Sequence, residues 1–90
     1  MINLNEGFAP NGQPASFNPG QVVSHVSYGY RGLIVDSDPT CQAADAWYHS
    51  NQTQPDRNQP WYHVLVDGSH EATYVAQSNL KLDPSGAPVV

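Results

Sequence analysis

The stretch NQPWYHVLVD, residues 58–67, decides the fold of this chain. Pro60 marks the entrance to a strand, and the residues that follow it alternate between aromatic and β-branched types. The pair Asp67-Gly68 then supplies the chemistry of a tight turn, after which the chain returns through a second strand ending at Ala76. The pattern predicts an antiparallel hairpin at the centre of the structure.

The two faces of the first hairpin strand differ in character, because successive side chains of a strand point to opposite sides. The face that we expect to form the core consists of Tyr62, Val64 and Val66. The opposite face consists of Trp61, His63 and Leu65. This second set is too apolar for free solvent. We expect Trp47 and Tyr48, which belong to a long loop, to cover this face. The alternative is that the face is a docking surface.

The remainder of the chain predicts three further short strands and one long loop. The five predicted strands cover residues 21–26, 30–36, 61–66, 72–76 and 81–82, with Gly32 as a bulge and a 3₁₀ turn at 77–80. Residues 40–59 lack a strand pattern, and a loop of that length in a small domain is expected to fold locally, here as a short helix at 43–48. We therefore predict a mainly all-β fold, a small SH3-like five-stranded barrel, whose closure would remove unpaired strand edges.

The length and the turn-forming residues at both ends predict one domain. Residues 1–16 carry Gly, Asn and Pro clusters without apolar periodicity and are expected to be a flexible leader. Residues 17–83 are expected to form the barrel domain, and residues 84–90 a flexible tail. A domain of this size buries only about 60% of its unfolded surface, which leaves no room for a deep catalytic cleft.

Charge and cysteine content restrict the function further. Eight acidic residues against three basic ones give a net charge of −5, which repels phosphate backbones. The chain has one cysteine, no pattern of a secretory signal and no apolar window long enough for a bilayer. These features predict a cytoplasmic protein without disulfides.

The sequence gives little support for a catalytic or metal-binding site. Cys41 and the four histidines could in principle form a thiol nucleophile or a zinc site, but no two of them stand closer than His63 and His70, and zinc motifs pair ligands a few residues apart. Asp36 and Asp38 could form a carboxylate pair, although the Asp-Pro sequence is typical of a turn in which the side chains accept local N–H groups. We expect no enzyme activity, no metal and no cofactor.

A second aromatic segment lies upstream of the hairpin. Tyr28, Tyr30 and Arg31 could offer two rings and a guanidinium group to a base, a peptide or a carboxylate. The competing structural interpretation is that Gly29 takes a positive φ, one tyrosine packs beneath the turn and Arg31 pairs with a nearby carboxylate such as Asp36.

Three strings in the sequence resemble one known family. They are HVSYGYRG at residues 25–32, QPWYHVLVD at 59–67 and TYVAQSNL at 73–80. They are similar to the HspQ or YccV-like family, whose domain is also described as hemimethylated-DNA-binding. The resemblance implies a small, non-enzymatic, SH3-like barrel linked to heat stress, which binds hemimethylated DNA or modulates ATP-dependent proteolysis as an adaptor, and which self-associates.

Electrostatics favours a protein partner over DNA. The three basic residues, Arg31, Arg57 and Lys81, are scattered over a turn, a loop and a terminal strand, whereas specific DNA binding neutralises several phosphates. We therefore predict a stress-associated regulatory binding module that acts on a protease or its substrates, with hemimethylated DNA as the alternative partner. The predicted binding surface consists of Tyr28, Tyr30, Arg31, Trp61 and His63.

Overall fold

The computed structural model describes residues 16–51, 53–85 and 87–90 and contains one antiparallel five-stranded sheet. The strands are β1 (Val22–His25), β2 (Arg31–Asp38), β3 (Trp61–Val66), β4 (Ala72–Ala76) and β5 (Leu80–Leu82). Helix α1 (Asp45–Ser50) lies between β2 and β3, and a 3₁₀ turn (Gln77–Asn79) joins β4 to β5. The mainly all-β class, the five strands, the short helix in the loop and the 3₁₀ turn are confirmed. No helix in the described part of the chain is long and apolar enough to cross a membrane.

The predicted closure into a barrel is wrong, because the sheet remains open. The strand order is β4-β3-β2-β1-β5, so that β4 pairs with β3, β5 pairs with β1, and no ladder joins β4 to β5 within the described residues. Because the 3₁₀ turn has only three residues, β5 starts directly beyond the end of β4 and runs on to β1. The edge strands β4 and β5 are therefore consecutive along the chain, with the direction changing at the 3₁₀ turn, and they do not pair with each other.

The core lies on one face of this curled sheet and takes residues from every strand. Its buried members are Phe17, Val23, Ile34, Tyr62, Val64, Val75 and Leu80. Tyr62, Val64 and Ile34 are fully buried, and Val66 at the end of β3 is half-buried. The predicted assignment of Tyr62, Val64 and Val66 to the core face is thus confirmed.

The hydroxyl group of Tyr62 lies inside this core and has a full set of hydrogen-bond partners. It accepts the backbone N–H groups of Ser16 (3.0 Å) and Phe17 (3.3 Å) and donates to Oε1 of Gln77 (2.6 Å). A buried hydroxyl without partners would cost free energy, so this phenol fixes both the segment before β1 and the 3₁₀ turn to β3. The ring of Phe17 packs edge-on against it, with 5.3 Å between ring centroids.

The predicted bulge at Gly32 is wrong, because Gly32 pairs regularly with Val23 on one side and Val66 on the other. A Cβ atom at Gly32 would lie 2.3 Å from Cγ1 of Val64 and 2.8 Å from the carbonyl oxygen of Leu65. Glycine is required here for close approach of β3. The bulge lies instead at Val35, where the register with β3 shifts by one residue.

The bulge decides which way the end of β2 faces. Ile34 pairs with Val64 on the core face, and without the extra residue Asp36 would follow Ile34 onto that face. With the bulge, Asp36 pairs with His63. The carboxylates of β2 are therefore turned away from the core and toward the long loop.

Arg31 joins β2 to the chain segments that follow β3 and β5. Its guanidinium group donates to Asp67 (2.7 Å) and Asp83 (3.0 Å) and also to the backbone oxygen of Ala87. The expectation that Arg31 pairs with a carboxylate is confirmed, but the partners are Asp67 and Asp83. The suggested example, Asp36, lies five residues of extended strand away, at about 16 Å. The predicted tail also contacts this region, since the N–H of Val90 donates to Asp67 at 2.8 Å.

Substitution of Gly32 by alanine tests the close approach of β2 and β3. We expect G32A to lower the free energy of unfolding by about 1–3 kcal/mol, because the new methyl group overlaps Val64 in a packed core. Chemical denaturation followed by tryptophan fluorescence measures the change. V35A is the matched control on the same strand, since Val35 is 47% exposed and its truncation should stay within about 0.5 kcal/mol. Equal stabilities of G32A and the unmodified protein would contradict the packing argument.

The carboxyl group of Asp83, which is paired with Arg31, should make the stability of the protein depend on pH in a defined way. Hydrogen bonds from Ser85 and Ser24, followed by Arg31, lower the pKa of Asp83 from 3.8 to about 2. A carboxyl group whose pKa is lowered by folding contributes stability that is complete above the unfolded pKa and is lost as the pH falls through the folded pKa.

We therefore expect D83N to be less stable than the unmodified protein above about pH 4, and the difference to shrink as the pH falls and to disappear below about pH 2. Urea denaturation across this range measures it. E71Q, which removes an exposed carboxylate from the β3-β4 connection, should show no such convergence. A D83N difference that is independent of pH would contradict the assignment to Asp83.

Candidate functional site

The long loop between β2 and β3 covers the second face of β3. Trp61 is only 3% exposed and packs with Cys41 and Ala76, and Tyr48 and Tyr74 lie against the same cluster. The indole N–H of Trp61 donates to the backbone oxygen of Asp56 in the loop. The preferred prediction, that the loop covers this face with Trp47 and Tyr48, is therefore confirmed for Trp61, whereas the side chain of His63 on the same face remains 44% exposed.

Arg57 holds the two ends of this loop together. Its guanidinium group donates to the carbonyl oxygens of Cys41 and Ala43 and to the carboxylate of Asp45 at 3.1 Å. The same group lies 4.9 Å above the ring centroid of Tyr48. One side chain thus satisfies carbonyl groups before α1 and orients an aromatic ring of the helix against the sheet.

A cleft of about 820 Å³ remains between this loop, the outer side of β4 and the β1-β2 turn. We call it the aromatic cleft. The aromatic residues that line it are His25, Tyr28, Tyr30, Trp47, Trp61, His63 and Tyr74. Trp47, 38% exposed, stands edge-on to Trp61 and to Tyr74, with ring centroids 6.2 and 5.7 Å apart.

Asp38 forms the polar end of the aromatic cleft. Its Oδ2 atom accepts a 2.6 Å hydrogen bond from the hydroxyl of Tyr74 and lies 3.3 Å from Nε2 of His63. Burial, and then the hydrogen bond to Asp38, raise the pKa of Tyr74 well above its ordinary value. Tyr74 therefore stays a neutral donor that orients the Asp38 carboxylate. The expectation that both aspartates accept local backbone N–H groups is confirmed for Asp36, which accepts the N–H of Ser37, and is wrong for Asp38, whose contacts among the described residues are the side chains of Tyr74 and His63.

The other end of the cleft is formed by the turn between β1 and β2. His25 is buried, and burial lowers its pKa, which favours the neutral imidazole. Its Nδ1 atom accepts the backbone N–H groups of Ser27 and Tyr28, and the ring of Tyr28 stacks on it at 4.4 Å. Gly29 takes the predicted positive φ, of 79°. The turn is therefore rigid and presents Tyr28, 54% exposed, at its surface.

Four of the five predicted surface residues line the aromatic cleft, namely Tyr28, Tyr30, Trp61 and His63. Tyr30 is half-buried and its hydroxyl is hydrogen-bonded to Thr73. Arg31 is not brought to the cleft, because its guanidinium group is held by two carboxylates elsewhere. Binding by the four residues stays a prediction.

Tyr74 and Asp38 line the cleft but are absent from the binding surface predicted from the sequence. Tyr74 lies directly opposite His63, and Asp38 opposite Trp61, across the sheet. Their positions follow from the register of β4 and from the bulge at Val35. The one signal in the sequence that pointed to Tyr74 was the alternation of β4, which puts Tyr74 on the same face as Ala72 and Ala76.

The chemistry of the cleft suits binding. It offers aromatic surface, several hydrogen-bonding groups and one carboxylate. Cys41 is buried, and the part of the chain that the structure describes has no group of three or more His, Cys, Asp or Glu side chains able to hold a metal ion.

Comparison with known protein families matches residues 15–90 to the family described as "Hemimethylated DNA-binding protein YccV like". The match extends over most of the chain and includes every strand of the sheet, the loop and the aromatic cleft. It agrees with the resemblance carried by the strings at 25–32, 59–67 and 73–80. This chain therefore belongs to the YccV-like family of hemimethylated-DNA-binding domains.

Proposed function

We propose that this chain is a non-enzymatic, stress-associated regulatory binding module that works in the cytoplasm as an adaptor or modulator of ATP-dependent proteolysis. Its partner is a protein, either the protease or its substrates, and the aromatic cleft is the contact surface. The family assignment by itself allows a DNA partner, so the choice depends on the electrostatics of the chain.

The observation that carries the proposal is the state of the three basic side chains. Arg31 is paired with Asp67 and Asp83, and Arg57 is paired with Asp45. Lys81 is exposed and has no carboxylate within ion-pair distance among the described residues. A DNA duplex would thus find one uncommitted cationic side chain on a chain of net charge −5.

The aromatic cleft supports a polypeptide partner in a second way. Aromatic side chains dominate the energetically important positions of protein interfaces. Trp47, Tyr28 and His63 are each partly exposed at the rim of the cleft, over a buried floor that includes Trp61. A rigid aromatic surface of this kind binds without a large cost in side-chain entropy.

Hemimethylated DNA is the second candidate, because the family description names it. A reader of base methylation needs apolar contact with the major groove, and Tyr28 is the exposed ring that could supply it. Phosphate contacts would then have to come mainly from backbone N–H groups.

Fluorescence anisotropy with hemimethylated, fully methylated and unmethylated duplexes, over a range of salt concentrations, separates the two candidates. We expect weak binding that does not distinguish the duplexes, with a slope of log K against log salt of about −1, because one cation is uncommitted. K81A should remove this residual binding. A steep slope, or preference for the hemimethylated duplex, would establish the DNA candidate in place of the proposal.

Degradation of unfolded substrates by purified ATP-dependent proteases tests the protein partner. We expect the chain to change the degradation rate, and H63A to reduce that change about fivefold, as expected for loss of an interface contact. H70A is the matched control, because His70 is exposed and does not line the cleft. No effect of the unmodified chain on any of the proteases would contradict the proposal, and equal effects of H63A and H70A would exclude the cleft as its surface.

A further inference from the structure

The aromatic cleft has an unusual charge balance. Among the described residues that line it, Asp38 is the one carboxylate, and no lysine or arginine is present. The three basic residues of the chain lie elsewhere, and two of them are committed to ion pairs. No lysine or arginine among the lining residues neutralises Asp38, whose basic neighbour in the cleft is the imidazole of His63 at 3.3 Å, and the cleft is therefore complementary to a cationic side chain from a partner.

The Asp38 carboxylate is positioned so that one oxygen atom is available to a ligand. Oδ2 is engaged by the Tyr74 hydroxyl and faces His63, whereas Oδ1 accepts no hydrogen bond from the described residues. The side chain retains 27% of its exposure, so water or a ligand reaches it. Because Tyr74 holds the carboxylate in one orientation, a cation would bind to a preorganised acceptor.

The aromatic walls add a second attraction for the same charge. Cations are drawn to the faces of tryptophan and tyrosine rings, and the attraction grows as the site is desolvated. Trp47 is partly exposed and contacts both Trp61 and Tyr74, and Tyr74 also touches the carboxylate. Rings and carboxylate thus converge on one place.

We propose that the aromatic cleft binds a lysine or arginine side chain from a basic, extended segment of a partner polypeptide. The cationic group contacts Oδ1 of Asp38 and the rings of Trp47 and Tyr74, while its aliphatic stem lies along the aromatic wall. This inference rests on the proposed function for its partner, and it gives that partner a chemistry: a segment rich in basic residues.

Titration of the purified protein with short capped peptides tests the inference without a protease. The probe is a peptide of alternating lysine and serine, and the matched probes carry norleucine or acetyl-lysine in place of lysine. Both matched probes keep the aliphatic stem and lack the charge. Fluorescence of the two tryptophans, Trp47 and Trp61, reports on binding. We expect affinity for the lysine peptide to exceed that for either neutral probe by about tenfold or more.

Two matched variants separate the cleft from general attraction to an acidic protein. D38N removes the charge inside the cleft and keeps an oxygen atom that can accept the Tyr74 hydroxyl. D36N removes one charge from the same strand, at an exposed side chain that does not line the cleft. We expect D38N to weaken binding of the lysine peptide about tenfold and D36N to weaken it less than twofold. W47L, which removes the ring and keeps an apolar side chain, should weaken binding to a similar extent as D38N.

The outcomes are distinct from those of the degradation assay. Equal affinities for the charged and neutral peptides, or equal losses in D38N and D36N, would overturn the inference while leaving the proteolytic function as it stands. Charge-dependent binding that D38N removes would support the inference even if degradation rates did not change. Direct binding of a labelled hemimethylated duplex to the protein, abolished in W47L, would show that the cleft serves nucleic acid and would also overturn it.

Discussion

The central strand β3 begins with two residues, Trp61 and Tyr62, that are buried on opposite faces of the sheet, and the rest of the structure depends on this constraint. Tyr62 and Val64 are buried on one side, where the curled sheet wraps around them, and Trp61 is buried on the other. A sheet this small cannot cover its second face with another sheet, so the long loop does so. The loop is consequently a structural layer of the fold, held by Arg57 and by the hydrogen bond from Trp61 to Asp56.

The same constraint places the candidate binding site. The loop covers Trp61 but leaves an opening between Trp47, Tyr74 and the β1-β2 turn, and this opening is the aromatic cleft. The bulge at Val35 brings acidic side chains of β2 to that face, and Tyr74 orients one of them. An aromatic wall and a carboxylate meet there because Trp61 is buried on the face of β3 opposite to Tyr62.

Charge pairing then restricts what the protein can bind. An acidic chain with three basic residues uses two of them internally, where they hold a loop and a chain end in place. Their structural role reduces the attraction for nucleic acid, since phosphate binding depends on uncommitted cations. Membership of the YccV-like family gives the domain type. The distribution of charge in this particular chain is the observation on which the proposal of a basic polypeptide partner rests.

The sequence by itself determined the five strands, the short helix, the core set around Tyr62 and the shielding of Trp61, because these depend on local alternation and on the need to bury apolar surface. It placed the bulge at Gly32, which was wrong, and it indicated a carboxylate partner for Arg31 without identifying Asp67 and Asp83 as the partners. Bulge position, strand register and ion-pair partners depend on which segments lie side by side, which no local pattern contains. Tertiary structure alone therefore decided that Asp38, Tyr74 and Trp47 share a cleft and that Arg31 lies outside it.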